Sequence, residues 1–236
     1  MMEKSCATLQ LKRPPGLVGR LRPRQQIILG EPRLEIAAVD GGGITSLLLH
    51  IAKNAAEEGR PILFLHDATD PIAGRALLQL GFGNDNSGSH TVMRSLPNPL
   101  CSQNADMDQV FRPYIDLVKA FVQTFPGVMV IVDKRVCASG PRSNNMLADA
   151  IEEAIKPYDA QIISAGFNPS RQDAHPVILG RMYDHREIMP FMGEDIVRDL
   201  MMLDRGEYIL CRGTGSDRKA SRFAIDVSHD HPGKTD

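Results

Sequence analysis

Residues 38–50, A-V-D-G-G-G-I-T-S-L-L-L-H, decide the reading of the fold. They continue the apolar run Leu34–Val39, turn through Asp40-Gly41-Gly42-Gly43, and pass two hydroxyls at Thr45 and Ser46. From Ser46 to Glu58 the apolar positions Leu48, Leu49, Ile51, Ala52, Ala55 and Ala56 recur at helical spacing, and Gly59 closes the pattern. Strand, glycine turn, hydroxyl pair and helix give the outline of a phosphate-binding loop. Glycines let backbone N–H groups turn inward, and the helix that follows offers its positive end to an anion. Such a loop also needs a lysine for the terminal phosphates and a Ser or Thr for Mg²⁺. Laying G-x-x-x-x-G-K-[ST] on the sequence puts the first glycine at Ala38 and the lysine at Ile44, with Gly43 and Thr45 in their expected places. The turn and the hydroxyl are present, and the charge is not.

Outward from this stretch the pattern alternates. Pro61–Leu65 reads as a buried strand ending at His66-Asp67, and Ala73–Leu80 as a short helix stopped by Gly81 and Gly83. Asn84–Ser89 is a polar turn, Thr91–Ser95 a strand, and Asp106–Phe125 a long helix with Val110, Tyr114, Leu117, Val118 and Phe121 on one face. Gly127–Val132 is the most apolar strand of the chain, with Asp133 at its end. After a loop at Gly140–Asn145 come a helix at Met146–Ile155 and strands at Gln161–Ala165 and Val177–Gly180. A helix at Gly193–Met202 and a strand at Glu207–Arg212 follow. Strands alternating with helices predict an α/β domain around a mostly parallel, buried central sheet.

The composition sets limits. A chain of 236 residues with 42% hydrophobic and 24% charged residues can bury a substantial core, which excludes a disordered chain. No apolar stretch is long enough for a transmembrane segment. Lys12, Arg13, Pro14 and Pro15 interrupt any secretory signal, and the four cysteines are far apart, so the chain reads as cytoplasmic with free thiols. Lys+Arg 27 against Asp+Glu 29 leaves a net charge of −2, so the whole chain is no polycation. That total conceals a basic arm over residues 1–33, with Lys4, Lys12, Arg13, Arg20, Arg22, Arg24 and Arg33 against Glu3 and Glu31. Two readings of the arm stand: a solvated lead-in with a short strand at Gln26–Leu29, or a docking arm for an acidic partner, DNA or a membrane surface. Residues 34–215 form the domain, and 216–236 a polar tail in which only Phe223–Val227 has an ordered pattern.

The unit from Ala38 to Asp67 resembles the first strand–loop–helix–strand of the additional-strand P-loop ATPases: the FtsK and HerA motors, the TraG-type coupling proteins and the type IV secretion ATPases. Leu65-His66-Asp67-Ala68-Thr69-Asp70 resembles the group's second strand end, and Asn98-Pro99-Leu100 a later N-P segment. The run ending Val132-Asp133 resembles a Walker B strand, and Leu203–Leu210 the segment that closes the motor core. The resemblance implies a three-layer P-loop NTPase-like (RecA-like) fold from about Ile27 to Arg212. It also brings out two departures. Walker B strands of the group end Asp-Glu, the Asp assisting Mg²⁺ and the Glu polarising water, whereas here Lys134 follows Asp133. The strand that often ends in a polar sensor ends in Gly166. Without the lysine and the water-activating carboxylate, negligible hydrolysis is expected.

The candidate nucleotide-binding residues are Gly41, Gly42, Gly43, Thr45, Ser46 and Asp133, with no catalytic residue and no metal site assigned. No cofactor is fixed by the sequence; ATP or ADP with Mg²⁺ is what the loop implies. Each residue also has a plainer reading. Thr45 and Ser46 are hydroxyls of a kind found at any helix start. Asp133 serves equally as a structural strand-end carboxylate, and Lys134 as its counter-charge. Arg205 and Arg212 fit either trans-acting fingers or surface arginines. Asp173/His175, Asp184/His185 and His229/His231 lack a third ligand at useful spacing. Met182, Met189, Met192, Met201 and Met202 suit core filling or a soft partner surface. The leading expectation is a catalytically degenerate subunit with a structural or regulatory role in a conjugative DNA-transfer or type IV secretion-type apparatus. It would be cytoplasmic, held at the inner membrane through partners such as an active ATPase. The alternatives are an active ATPase whose lysine comes from elsewhere, and a DNA-binding accessory protein that uses the arm.

Overall fold

The computed structural model describes residues 7–9, 27–29, 32–38, 42–67, 71–84, 90–96, 107–133, 143–166, 176–181, 196–204, 206–213 and 219–225. Its centre is an eight-stranded sheet. The parallel part consists of β3 (Arg33–Ala37), β4 (Ile62–Asp67), β5 (Thr91–Leu96), β6 (Met129–Asp133), β7 (Gln161–Gly166) and β8 (Val177–Leu179). Two further strands, β9 (Glu207–Arg212) and β10 (Lys219–Ala224), are added antiparallel at one edge, giving the order β10-β9-β8-β3-β7-β6-β4-β5. A separate antiparallel pair, β1 (Ala7–Leu9) with β2 (Ile27–Leu29), sets β1 against the first helix. β2 falls where a short strand was expected in the arm, and β1 was not expected.

Alternation along the buried strands sends neighbouring residues to opposite faces. On one face Leu34 and Ile36, Met129 and Ile131, and Ile163 and Ala165 pack under α1 (Ile44–Glu57) and α2 (Pro71–Gln79). On the other, Leu63, Leu65, Val130, Val132 and Ile162 pack under α3 (Met107–Thr124) and α4 (Ser143–Ile155). A third cluster on β3, β8 and β9 takes Leu200 and Leu203 from the helical segment 196–201 and the residues after it. Helices therefore cover both faces, and the three-layer α/β expectation holds. The strand β7 stands between β3 and β6.

Several boundaries moved. α1 begins at Ile44 instead of Ser46, because Gly43 takes φ 84° and ψ 16° and ends the turn there. α4 begins at Ser143, which takes three residues from the expected Gly140–Asn145 loop. The sheet also runs past residue 215: β10 pairs with β9 from Lys219 opposite Arg212 to Ala224 opposite Glu207. An edge strand with one face wet carries little apolar signal, so Lys219, Ser221 and Arg222 read as tail. At the other boundary, Arg33 opens β3 and is buried, so its charge belongs to the domain and not to the arm. Its guanidinium pairs with Glu35 at 2.6 Å, with Asp149 at 2.8 Å and with Glu152. Burial opposes that charge, and the carboxylates of Glu35, Glu152 and Asp149 outweigh it, so the group is held charged above its usual range.

Candidate phosphate-loop site

The C-terminal ends of the parallel strands form one rim of the sheet, where ligands of open α/β folds sit. β3 lies near the middle of the sheet and hands the chain to the glycine turn; Ala38 N donates to the Gly166 carbonyl at 3.2 Å and anchors that exit. Gly43 is the N-cap of α1 and brings no capping side chain of its own, and no acidic residue occupies the helix's first turn. A helix of 14 residues thus presents its leading N–H groups with no carboxylate in its own first turn. Thr45 and Ser46 are half-buried at that start.

Asp133 is fully buried at the end of β6. By alternation with Met129 and Ile131 it shares the α1 face, and its register partner Ala165 is in turn level with Ile36. Two strand spacings, about 10 Å, therefore separate Asp133 from the strand that feeds the loop. Gly43, Thr45, Ser46 and Asp133 are gathered on one side of one rim. Gly42 is described beside them, whereas Gly41, Arg205 and Lys134 lie outside the described residues, as do Asn98-Pro99-Leu100 and the His/Asp pairs. Arg212 is exposed at the far end of β9, roughly 14 Å along the strand from Tyr208, so it does not join this rim within one chain. Among the described residues there is no group of three acidic, His or Cys side chains able to hold a metal. The residues that are present fit a phosphate through backbone N–H groups, and Thr45 and Asp133 supply the oxygen donors that suit Mg²⁺.

The residue in the lysine position, Ile44, is buried in the α1-side core at 3% exposure. Its side chain is part of that hydrophobic core.

Two features of the rim went unread in the sequence. The Tyr208 hydroxyl on β9 donates to the Gly43 carbonyl at 2.7 Å across 165 residues of chain. A Cβ at Gly43 would lie 2.5 Å from that hydroxyl, and a Cβ at Gly180 would lie 2.7 Å from Ala38 Cβ and 3.1 Å from the Gly42 carbonyl. Glycine is thus required at both positions by close approach. The second feature is His66, buried on the same face as Asp133 and next to it in register, with Nε2 3.2 Å from Ser95 Oγ. A tyrosine in a strand and a histidine at a strand end carry no sequence signal for such neighbours.

No protein-family model and no curated protein matches the sequence. Solved structures do match. B204, the DNA-packaging ATPase from Sulfolobus turreted icosahedral virus, aligns with a TM-score of 0.60 at 12% identity, over 83% of this chain and 98% of that one. The genome packaging NTPase B204 from Sulfolobus turreted icosahedral virus 2, in complex with AMP, aligns at 0.54 with 12% identity, over 83% and 97%. The cytoplasmic domain of the Thermomonospora curvata type VII secretion ATPase EccC aligns at 0.53 with 10% identity, over 93% of this chain and 26% of that one. With β7 set between the loop strand and the Asp133 strand, and with these neighbours, the chain has the fold of P-loop NTPase domains.

Proposed function

We propose that the protein is a nucleotide-binding P-loop subunit that does not turn nucleotide over, acting as a structural or regulatory partner in a DNA-transfer, packaging or secretion apparatus. The observation that carries this is the start of α1: a left-handed glycine, a helix N-terminus with no acidic residue in its first turn and two hydroxyls on the rim that also holds Asp133, with buried hydrocarbon where the phosphate lysine belongs. The first three features suit a bound polyphosphate. The last removes the group that neutralises charge at the transferred phosphoryl, the step on which phosphoryl transfer most depends. The nucleotide held by the packaging NTPase neighbour supports the ligand class, and the packaging and secretion neighbours support the setting. When bound, Mg²⁺ would offset phosphate charge; Thr45 and Asp133 are the residues that would hold it, and the helix-start N–H groups would orient the phosphates.

Titration with a fluorescent ATP analogue, run beside a steady-state phosphate-release assay, tests this reading. Saturable binding that is lost in Gly43→Ala, with no release above the blank, is the expected result. Absence of binding would overturn the nucleotide reading. Turnover that disappears in Thr45→Ala would overturn the loss of catalysis.

A further inference from the structure

We propose that Tyr208 is a positioning residue for the phosphate loop: its hydroxyl, carried on the C-terminal β9–β10 hairpin, sets the direction of the Gly43–Ile44 peptide. The inference rests on the nucleotide reading above and adds the device that fixes the geometry. The Gly43 carbonyl accepts two hydrogen bonds, one from Leu47 N at 3.0 Å and one from Tyr208 Oη at 2.7 Å. The first is the opening bond of α1 and points the carbonyl along the helix. The second comes from outside the helix and occupies the remaining lone pair. In a trans peptide the N–H points opposite to the C=O. A Gly43 carbonyl held into the helix therefore holds the Ile44 N–H outward, over the rim where a phosphate would lie.

The hydroxyl is itself held. Tyr208 is fully buried, its ring stacks on Phe223 with centroids 5.5 Å apart, and Gly180 approaches so closely that an added Cβ would sit 3.4 Å from Cε1. Its strand neighbour Glu207 pairs with Arg222 of β10 and accepts from Asp204 N at 2.8 Å. The hairpin is thus fixed at both faces of β9, and the Tyr208 hydroxyl reaches inward from it to the loop. A phenylalanine at 208 would fill the same space, so filling the core does not account for the hydroxyl. The Gly43 carbonyl already has its helical donor, so satisfying it does not account for the hydroxyl either.

The test is Tyr208→Phe in the full chain, with two readouts: the dissociation constant for the fluorescent ATP analogue, and amide exchange at Leu47 in nucleotide-free protein. The expected result is a constant about five- to tenfold weaker, the scale of one hydrogen bond, with faster exchange at Leu47. A role in packing alone would leave the constant unchanged, and that outcome overturns the proposal. A weaker constant with Leu47 exchange unchanged overturns the carbonyl mechanism. Should Tyr208→Phe fail to fold, Phe223→Leu, which frees the ring while keeping the hydroxyl, is expected to move both readouts the same way by a smaller factor; wild-type values would overturn the proposal. If the wild-type protein binds no nucleotide, the functional reading falls by itself, and Leu47 exchange alone decides whether Tyr208 sets the loop.

Discussion

At the residue scale, two side-chain relationships are asked to do more than fill space. Gly43 combines a positive φ with a virtual Cβ 2.5 Å from Tyr208 Oη, so Gly43→Ala meets both a backbone penalty and an overlap. Left-handed backbone alone costs an alanine about 1–2 kcal/mol, and the overlap adds to it. A loss of at least about 2 kcal/mol is expected in a denaturant titration. Tyr208→Phe removes the overlapping atom, while Tyr208 Cζ stands back at 3.6 Å. The double variant should therefore be more stable than the sum of the two losses, and strict additivity would show that hydroxyl and glycine do not meet. Arg33 is the second case. Replacing it by Met removes the Arg33 cation from the buried Glu35 carboxylate, a break worth about 3–5 kcal/mol. In the wild type the raised pKa of Arg33 keeps its contribution through the ordinary pH range, since a raised pKa loses stability only as pH climbs through it. A melting temperature close to that of the wild type would count against this account.

At the scale of elements, helix α1 and its loop hold the clearest contrast between what sequence conveys and what folding adds. The 34–39 run, the glycine turn and the periodic helix were legible because each signal is local: apolar alternation, Gly, then spacing of three and four. The strand β6 was legible for the same reason, with five buried residues in a row ending on Asp133. Tyr208 was not, because its meaning depends on a partner 165 residues away, and the first part of β10 was not, because its ladder partner is β9 and Lys219, Ser221 and Arg222 are polar. Arg33 reads as part of the basic arm because no local sign shows that α4 brings Asp149 and Glu152 to it. Ile44 belongs to both worlds: the sequence marks it as the missing lysine, and the structure shows why an isoleucine suits the place. Ile44→Lys should lower the melting temperature, since burying Ile contributes about 1.5–3 kcal/mol. The same change should tighten the ATP analogue by about tenfold or more, because a lysine stem can follow the apolar path and bring its ammonium out at the rim. Unchanged affinity would mean that position 44 does not border the phosphate. In α3, Pro113 is exposed inside the helix and has no N–H for the Gln109 carbonyl, so Pro113→Ala should stabilise by about 1 kcal/mol or more in the same titration.

At the scale of the whole molecule, the loop is not a local device. It sits at the exit of a central strand and is tied through Tyr208 to a hairpin at the edge of the sheet. Phe223 and Ile225 are buried from the β10 side, and Arg222 fixes the hairpin through Glu207. A chain ending at Gly213 keeps β9 but loses β10, and with it the burial of those two apolar side chains, about 3–6 kcal/mol by area. It also bares the edge of β9, an invitation to strand pairing between chains. That chain is expected to melt lower, to associate, and to bind the ATP analogue more weakly than full-length protein even below its melting point, because Tyr208 loses its stacking partner. A chain ending at Asp226 keeps the hairpin and should match the full chain in all three respects. The comparison isolates the coupling: a folded Gly213 chain with full affinity would mean that the hairpin stabilises the sheet without setting the loop, and the route from sheet edge to nucleotide would have to be abandoned.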